Sequence, residues 1–223
     1  MNIDFSPLID DLPLAYRYRP AVGQPIGLVI LMHGIGSNED SLLGLASFIP
    51  ENLSVVSVRS PLTMAPGAYS AFSVSFTSNG PKIDTAAAEA SRQQLLRFIP
   101  ELQLRYGIAS DQTLIAGFSQ GGIMSASLAL TAPKCVRGFA ILSGRILPEI
   151  EPLIARAEDL QHLSALVIHG KNDDRLPYFW AEKSTELLQA HGIPFHLLNY
   201  GIGHEITSEV ATDFAAWVRN ILL

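Results

Sequence analysis

Two short runs, Leu28–Met32 and Ala165–His169, are apolar almost from end to end. They constrain the fold more than any other feature of the chain. A strand with one wet face alternates apolar and polar residues, whereas a strand apolar throughout must be covered on both faces. Five further runs have strand character: Leu14–Tyr18, Ser54–Val58, Thr113–Ala116, Gly138–Leu142 and Phe195–Asn199. Longer amphipathic runs fall between them, over Asp40–Ile49, Ile83–Tyr106, Gln120–Thr131, Glu149–Glu158, Tyr178–His191 and Ile206–Ile221. Alternation of this kind predicts an α/β fold with a mostly parallel, doubly wound sheet and right-handed crossovers. No internal repeat or low-complexity linker interrupts the 223 residues, so 1–223 reads as a single domain.

Composition removes several function classes. With 48% hydrophobic and 16% charged residues the chain has the material for a large core, which argues against disorder. A formal net charge of -6 without a lysine and arginine cluster argues against nucleic acid as a partner. Met1–Asp11 holds three aspartates and no positively charged n-region, unlike a signal peptide. No apolar run reaches the ~18 residues a membrane span needs. The single cysteine, Cys135, excludes an internal disulfide and reads as a small buried hydrophobe. A cytoplasmic enzyme is the resulting expectation, and a homodimer is possible although no patch for it is located. One stretch stands apart: Ser60–Pro81 carries no charge and is rich in Pro, Gly, Ser and aromatics. It reads either as the lining of an apolar pocket or as an irregular surface excursion with one short strand.

The chemistry is sought at Gly117-Phe118-Ser119-Gln120-Gly121, a G-x-S-x-G pattern between a strand and a helix. Such a turn pushes the serine into a strained, exposed position, and the helix N-terminus directs backbone N–H groups at the space beside it. The alternative is a serine that merely caps the helix. A nucleophilic serine needs a base, and the chain has six histidines. His33 and His169 end strands, His162 lies in a polar stretch, His191 at a helix end and His196 within a strand. Only His204, in Tyr-Gly-Ile-Gly-His-Glu-Ile, lies on a loop after the last strand, and it is the candidate base. An acid is expected between serine and histidine in the chain, and Asp173 or Asp174 in His-Gly-Lys-Asn-Asp-Asp can orient the imidazole. The residue types leave that choice open, because turn aspartates commonly cap the following helix. In Leu31–Asp40, His-Gly-Ile-Gly follows an early strand, so the N–H of Ile35 pairs with that of Gln120 as an expected oxyanion hole. His33 is then structural. Glu39 stands where a dinucleotide fingerprint needs its third glycine, and no phosphate-loop lysine, paired cysteines or His-Glu-x-x-His motif occurs.

Four stretches in order, HGIGSNED, GFSQGG, HGKNDDRLP and GIGHEI, resemble the phospholipase/carboxylesterase family of α/β-hydrolases, which includes acyl-protein thioesterases and small bacterial carboxylesterases. The resemblance runs from about Gly27 to Leu222. It implies Ser119 as nucleophile, His204 as base and Asp173, the fifth residue of its stretch, as the acid. It further implies oxyanion donors at Ile35 and Gln120, no cofactor and no large cap domain, and the missing metal-binding motifs leave no metal expected. Ala71 stands where many members carry a tryptophan, so Tyr69, Phe72 and Phe76 are the expected substrate-binding residues. The expected activity is hydrolysis of small to medium acyl esters or thioesters through an acyl-enzyme. A small serine peptidase and a non-catalytic ligand-binding protein of the same fold are the alternatives.

Overall fold

A computed structural model describes residues 5–77 and 80–223. Seven strands form one sheet: β1 (Tyr16–Arg19), β2 (Leu28–Met32), β3 (Ser54–Val58), β8 (Thr113–Phe118), β9 (Gly138–Leu142), β10 (Ser164–Gly170) and β11 (Phe195–Tyr200). Their spatial order is β1-β3-β2-β8-β9-β10-β11. Only β1 runs antiparallel, along β3. The parallel majority places the ends of β2, β8, β9, β10 and β11 on one edge, where Phe118, Leu142, Ile168 and Leu198 lie in register and Met32 pairs with Gly117 one step before them. Ligand sites of open parallel sheets form along such an edge.

The uniformly apolar strands are covered on both faces, as their composition requires. On β2, Leu28, Ile30 and Met32 pack with α2 (Thr85–Tyr106), α3 (Gln120–Thr131) and α5 (Phe179–Ala190). Val29 and Leu31 of the same strand join α1 (Leu43–Ala46) and α6 (Ser208–Leu222) on the other face. Successive side chains of a strand point to opposite faces, so one five-residue run serves two cores. No helix among the described residues is long and apolar enough to cross a membrane.

Three segments differ from expectation. The helix expected over Asp40–Ile49 shrinks to α1, because Ser41 and Leu43 close short turns back to Asn38 and Asp40 and Gly44 weakens the interior. The helix expected over Glu149–Glu158 becomes a 3-10 turn at Pro148–Leu153 and a separate α4 (Ala157–Leu160). Pro152 has no N–H to give, and extended Ile154 separates the two. Ser60–Pro81 folds with Lys82 and Ile83 into two antiparallel hairpins, where at most one strand was expected. These are β4 (Leu62–Ala65) with β5 (Ala68–Ser70), and β6 (Val74–Thr77) with β7 (Gly80–Ile83). The first turns at Pro66-Gly67, where Gly67 has φ +74°.

Candidate active site

Ser119 stands between β8 and α3 at φ 54° and ψ -117°. This positive φ is a strained conformation for a serine, and such strain persists only where the surroundings impose it. Here they do so through glycine. A Cβ on Gly121 would overlap the Met32 carbonyl of β2, and one on Gly122 would come within 2.8 Å of the Gly117 carbonyl. Strand and helix therefore touch backbone to backbone. The Ser119 N–H donates to the Leu142 carbonyl (2.8 Å) and its carbonyl accepts from Ile123 N–H (3.1 Å), which ties the turn to β9 and to its own helix. Ser119 caps no N–H with its side chain, so the reading of it as a helix cap fails.

On the other side of the site, His204 Nδ1 lies 2.7 Å from Asp173 Oδ2. A carboxylate accepts, so Nδ1 carries the proton and Nε2 is the basic nitrogen. Asp173 is 5% exposed. Its second oxygen, Oδ1, accepts the N–H groups of Arg175 (3.0 Å) and Leu176 (2.8 Å), which fixes the carboxylate plane. Asp174 is exposed. The structure thus brings Asp173 and not Asp174 to the imidazole. The helix-capping alternative fails as well, since the N-terminus of α5 has no side-chain cap.

Gly34 connects the two sides. A Cβ on it would lie 3.3 Å from the Phe118 ring and 3.4 Å from Ser119 Cβ, while that ring stacks at a tilt on His204 with centroids 4.8 Å apart. Among the described residues no hydrogen bond joins the Ser119 hydroxyl to His204. A cavity of about 350 Å³ is lined by Gly34, Ile35, Phe118, His204 and Ile206, among others. The loop expected to donate an oxyanion N–H and the expected base therefore face the same space.

Two further histidines support the edge, each as a single tautomer set by its partners. His33 donates from Nδ1 to the Gly34 carbonyl (2.7 Å), and its Nε2 accepts the Ser60 N–H (3.0 Å). It is structural, as expected. His169, fully buried, points Nε2 at the Leu176 carbonyl (2.7 Å) and lies 3.4 Å from Asp173 Oδ2, leaving Nδ1 without a partner among the described residues. Burial holds both histidines below the ordinary range, which favours their neutral forms.

The hairpins attach to this framework in ways that sequence reading missed. Tyr69 pairs with the loop after β2, Gly36 N–H donating to its carbonyl (2.8 Å) and its own N–H to Ser37 (2.7 Å). Arg59 makes two hydrogen bonds to buried Glu39 (2.7 and 2.6 Å) and lies 4.4 Å above the Tyr69 ring. Tyr69 is thus part of a clasp on the loop. Phe72 packs in the core at 1% exposure, so as a wall for substrate it is closed off. The Phe76 side chain lies outside the described residues. Gln120 contributes more than its expected main-chain N–H. Its side chain accepts from Ala71 N–H (2.7 Å) and donates to the Phe72 carbonyl (2.8 Å), while Ser91 Oγ donates to Ala71 (2.5 Å). Partners 48 and 49 residues away left no local signal in the sequence. Cys135 is half-buried and burial pushes its thiol pKa up, consistent with an inert side chain.

A profile of the phospholipase/carboxylesterase family matches residues 21–221. The chain belongs to that family. It is 25% identical to acyl-protein thioesterase 1 of Kluyveromyces lactis, over 95% of this chain and 99% of that protein. A match to a probable carboxylesterase SOBER1-like of Arabidopsis thaliana is 26% identical and spans 65% of this chain but only 55% of that protein. Among solved structures, a carboxylesterase from Mesorhizobium loti superposes with a TM-score of 0.83 at 25% identity, covering 96% of this chain and 98% of the other. The esterase PE8 superposes equally well at 27% identity, covering 94% and 99%. The fold is that of an α/β-hydrolase without a large cap, and the family is one of hydrolases that cleave esters and thioesters.

Proposed function

We propose that the chain is a serine hydrolase that cleaves carboxylic esters or thioesters of small to medium acyl groups, with Ser119, His204 and Asp173 as its triad. The observation that carries this reading is a serine held at φ 54° on the same sheet edge as a histidine whose Nδ1 proton is taken by a buried carboxylate. His204 Nε2 takes the Ser119 proton as Oγ attacks the carbonyl carbon. The main-chain N–H groups of Ile35 and Gln120 receive the charge that develops on the carbonyl oxygen. Asp173 keeps the imidazole in the required tautomer and balances the imidazolium. Collapse of the tetrahedral intermediate returns that proton to the departing alcohol or thiol. Water activated by the same histidine then releases the acid from the acyl-enzyme.

The test is a rate series on p-nitrophenyl esters from acetate to palmitate with the wild-type protein and Ser119→Ala. The variant is expected to lose about 10⁴- to 10⁶-fold in kcat while keeping its melting temperature. A fluorophosphonate probe should label Ser119. Turnover or labelling that survives in Ser119→Ala would reject the assignment. Turnover of peptides but not esters would favour a peptidase.

A further inference from the structure

Immediately beyond β9 the chain passes over the nucleophile. Ser143 takes a positive φ of 49°, and a Cβ on Gly144 would sit 2.8 Å from the Ser119 carbonyl. Arg145 is the first side chain to leave this crossing. Its guanidinium lies 4.1 Å above the ring of Trp180, in the first turn of α5, the helix entered directly from the Asp173 loop. The arginine is thus held between the segments that carry the expected nucleophile and the expected acid, on the sheet edge where the site lies.

Arg145 is only partly exposed, and among the described residues no carboxylate approaches within ion-pair distance of it. The surrounding charges are otherwise engaged or remote. Glu149, on the following 3-10 turn, acts on it only through its charge; Lys183 of α5 is paired with Glu186 at 2.7 Å; and Asp173 is taken up by His204 and two N–H groups. Burial lowers the pKa of Arg145, the expected response of a cation that has lost water without gaining a counter-ion. Other arginines at this depth are matched: Arg92 has Glu89, Arg59 has Glu39, and Arg19 donates to four main-chain carbonyls. A guanidinium stacked on an indole keeps its planar fork of donors oriented and leaves its edge free for a carboxylate.

We propose that Arg145 is a specificity-determining residue that binds a carboxylate on the substrate, so that the preferred esters or thioesters carry a free acid group away from the scissile bond. This rests on the serine hydrolase reading above. A single unpaired cation balances a monoanion, which favours a carboxylate over a phosphate dianion.

The test compares kcat/KM for the 4-nitrophenyl monoester of adipic acid with that for 4-nitrophenyl hexanoate, an uncharged analogue with the same acyl carbon count. The wild-type protein should prefer the acid-bearing ester. In Arg145→Met the preference ratio should fall at least tenfold; Arg145→Lys, which keeps the charge but not the fork, should recover part of it; and 0.5 M salt should lower the wild-type ratio. A wild-type preference for the hexanoate, or a ratio that Arg145→Met leaves unchanged, overturns the proposal. Absence of all turnover counts against the hydrolase reading alone. Binding then decides: adipate monoethyl ester is titrated into Ser119→Ala protein with Trp180 fluorescence as the signal. Affinity should drop at least tenfold when Arg145→Met is added, and equal affinity rejects the arginine as the acid's partner.

Discussion

The turn at Ser119 and the paired hairpins over Leu62–Ile83 are built by opposite means. The turn is backbone against backbone: Gly117, Gly121 and Gly122 are glycine because main-chain atoms of β2, β8 and α3 occupy the space of a Cβ. The hairpins are held by side chains reaching across the fold, from Gln120, Ser91 and Arg59. The contrast teaches where tolerance to change should lie. Contacts between main chains leave no room to adjust, whereas clasps made of long side chains can loosen by degrees. The two constructions meet in Gln120, whose main chain opens the helix of the turn and whose side chain holds Ala71 and Phe72.

The sharpest way to break the contrast is to place one methyl group in each region. Gly121→Ala sets a Cβ against the Met32 carbonyl, with no flexible side chain to yield. We expect a loss of more than about 4 kcal/mol, seen as insoluble protein or a collapsed melting transition. Gly67→Ala, at the turn of the first hairpin, has no atom within 4 Å of the new Cβ, and only its φ of +74° resists. Its cost should stay near 1 kcal/mol. Equal losses at the two positions would show that conformation rather than crowding governs the turn.

The same contrast explains what could be read from the residues. β2, β3, β9 and α3 have the boundaries expected of them, because burial on both faces leaves a local mark on each. Ser119 and His204 stood out as candidates because each lies in a short motif set by a turn, whereas the residues left Asp173 and Asp174 open until the resemblance, and then the contact with His204, singled out Asp173. The hairpins were not, since their strands gain their partners only in the fold: Tyr69 meets Ser37 from 32 positions further along the chain, and Arg59 meets Glu39 from a different strand end. Phe72 was misread for the same reason. An uncharged stretch looks like a pocket wall until the core that absorbs it is known.

The clasp itself offers the next test. Arg59→Met leaves the Glu39 carboxylate, buried at 4% side-chain exposure, without its cation. The arginine side chain is about a quarter exposed (26%), so the loss should be discounted to about 2 kcal/mol. If the clasp keeps the Ile35 N–H in place, kcat should also drop about tenfold. Adding Glu39→Gln to the same chain should restore most of the stability, because the stranded charge is gone, but not kcat. Recovery of both would assign the pair to stability alone. A smaller effect is expected where the two constructions meet. Gln120→Glu keeps the acceptor for Ala71 N–H but turns a carboxylate oxygen toward the Phe72 carbonyl, 2.8 Å from the present donor. We expect kcat/KM to fall about tenfold, mainly through KM. A fall confined to kcat would place the hairpin in the chemical step.

The mildest difference between rigid and adjustable parts should appear in the acid sensitivity of the fold. His33 and His169 are held below their ordinary value of 6.5, chiefly by burial. The unfolded chain then binds protons that the folded chain excludes, so their contribution is complete above about pH 6.5 and is lost as pH falls toward the lower native values. Each adds a slope of up to about 1.4 kcal/mol per pH unit in that window. Glu39, paired with Arg59, is held below its ordinary 4.5 and acts only at lower pH, so urea midpoints between pH 5 and 6.5 isolate the histidines. His169→Gln can still donate to the Leu176 carbonyl but no longer titrates, so its stability-against-pH line should be shallower than wild type whatever its absolute stability. His33→Gln should flatten the line in the same way. Parallel lines for wild type and either variant would mean that the ring concerned is reached by water and protonates within the fold, and the edge would then be softer around that histidine than its burial implies.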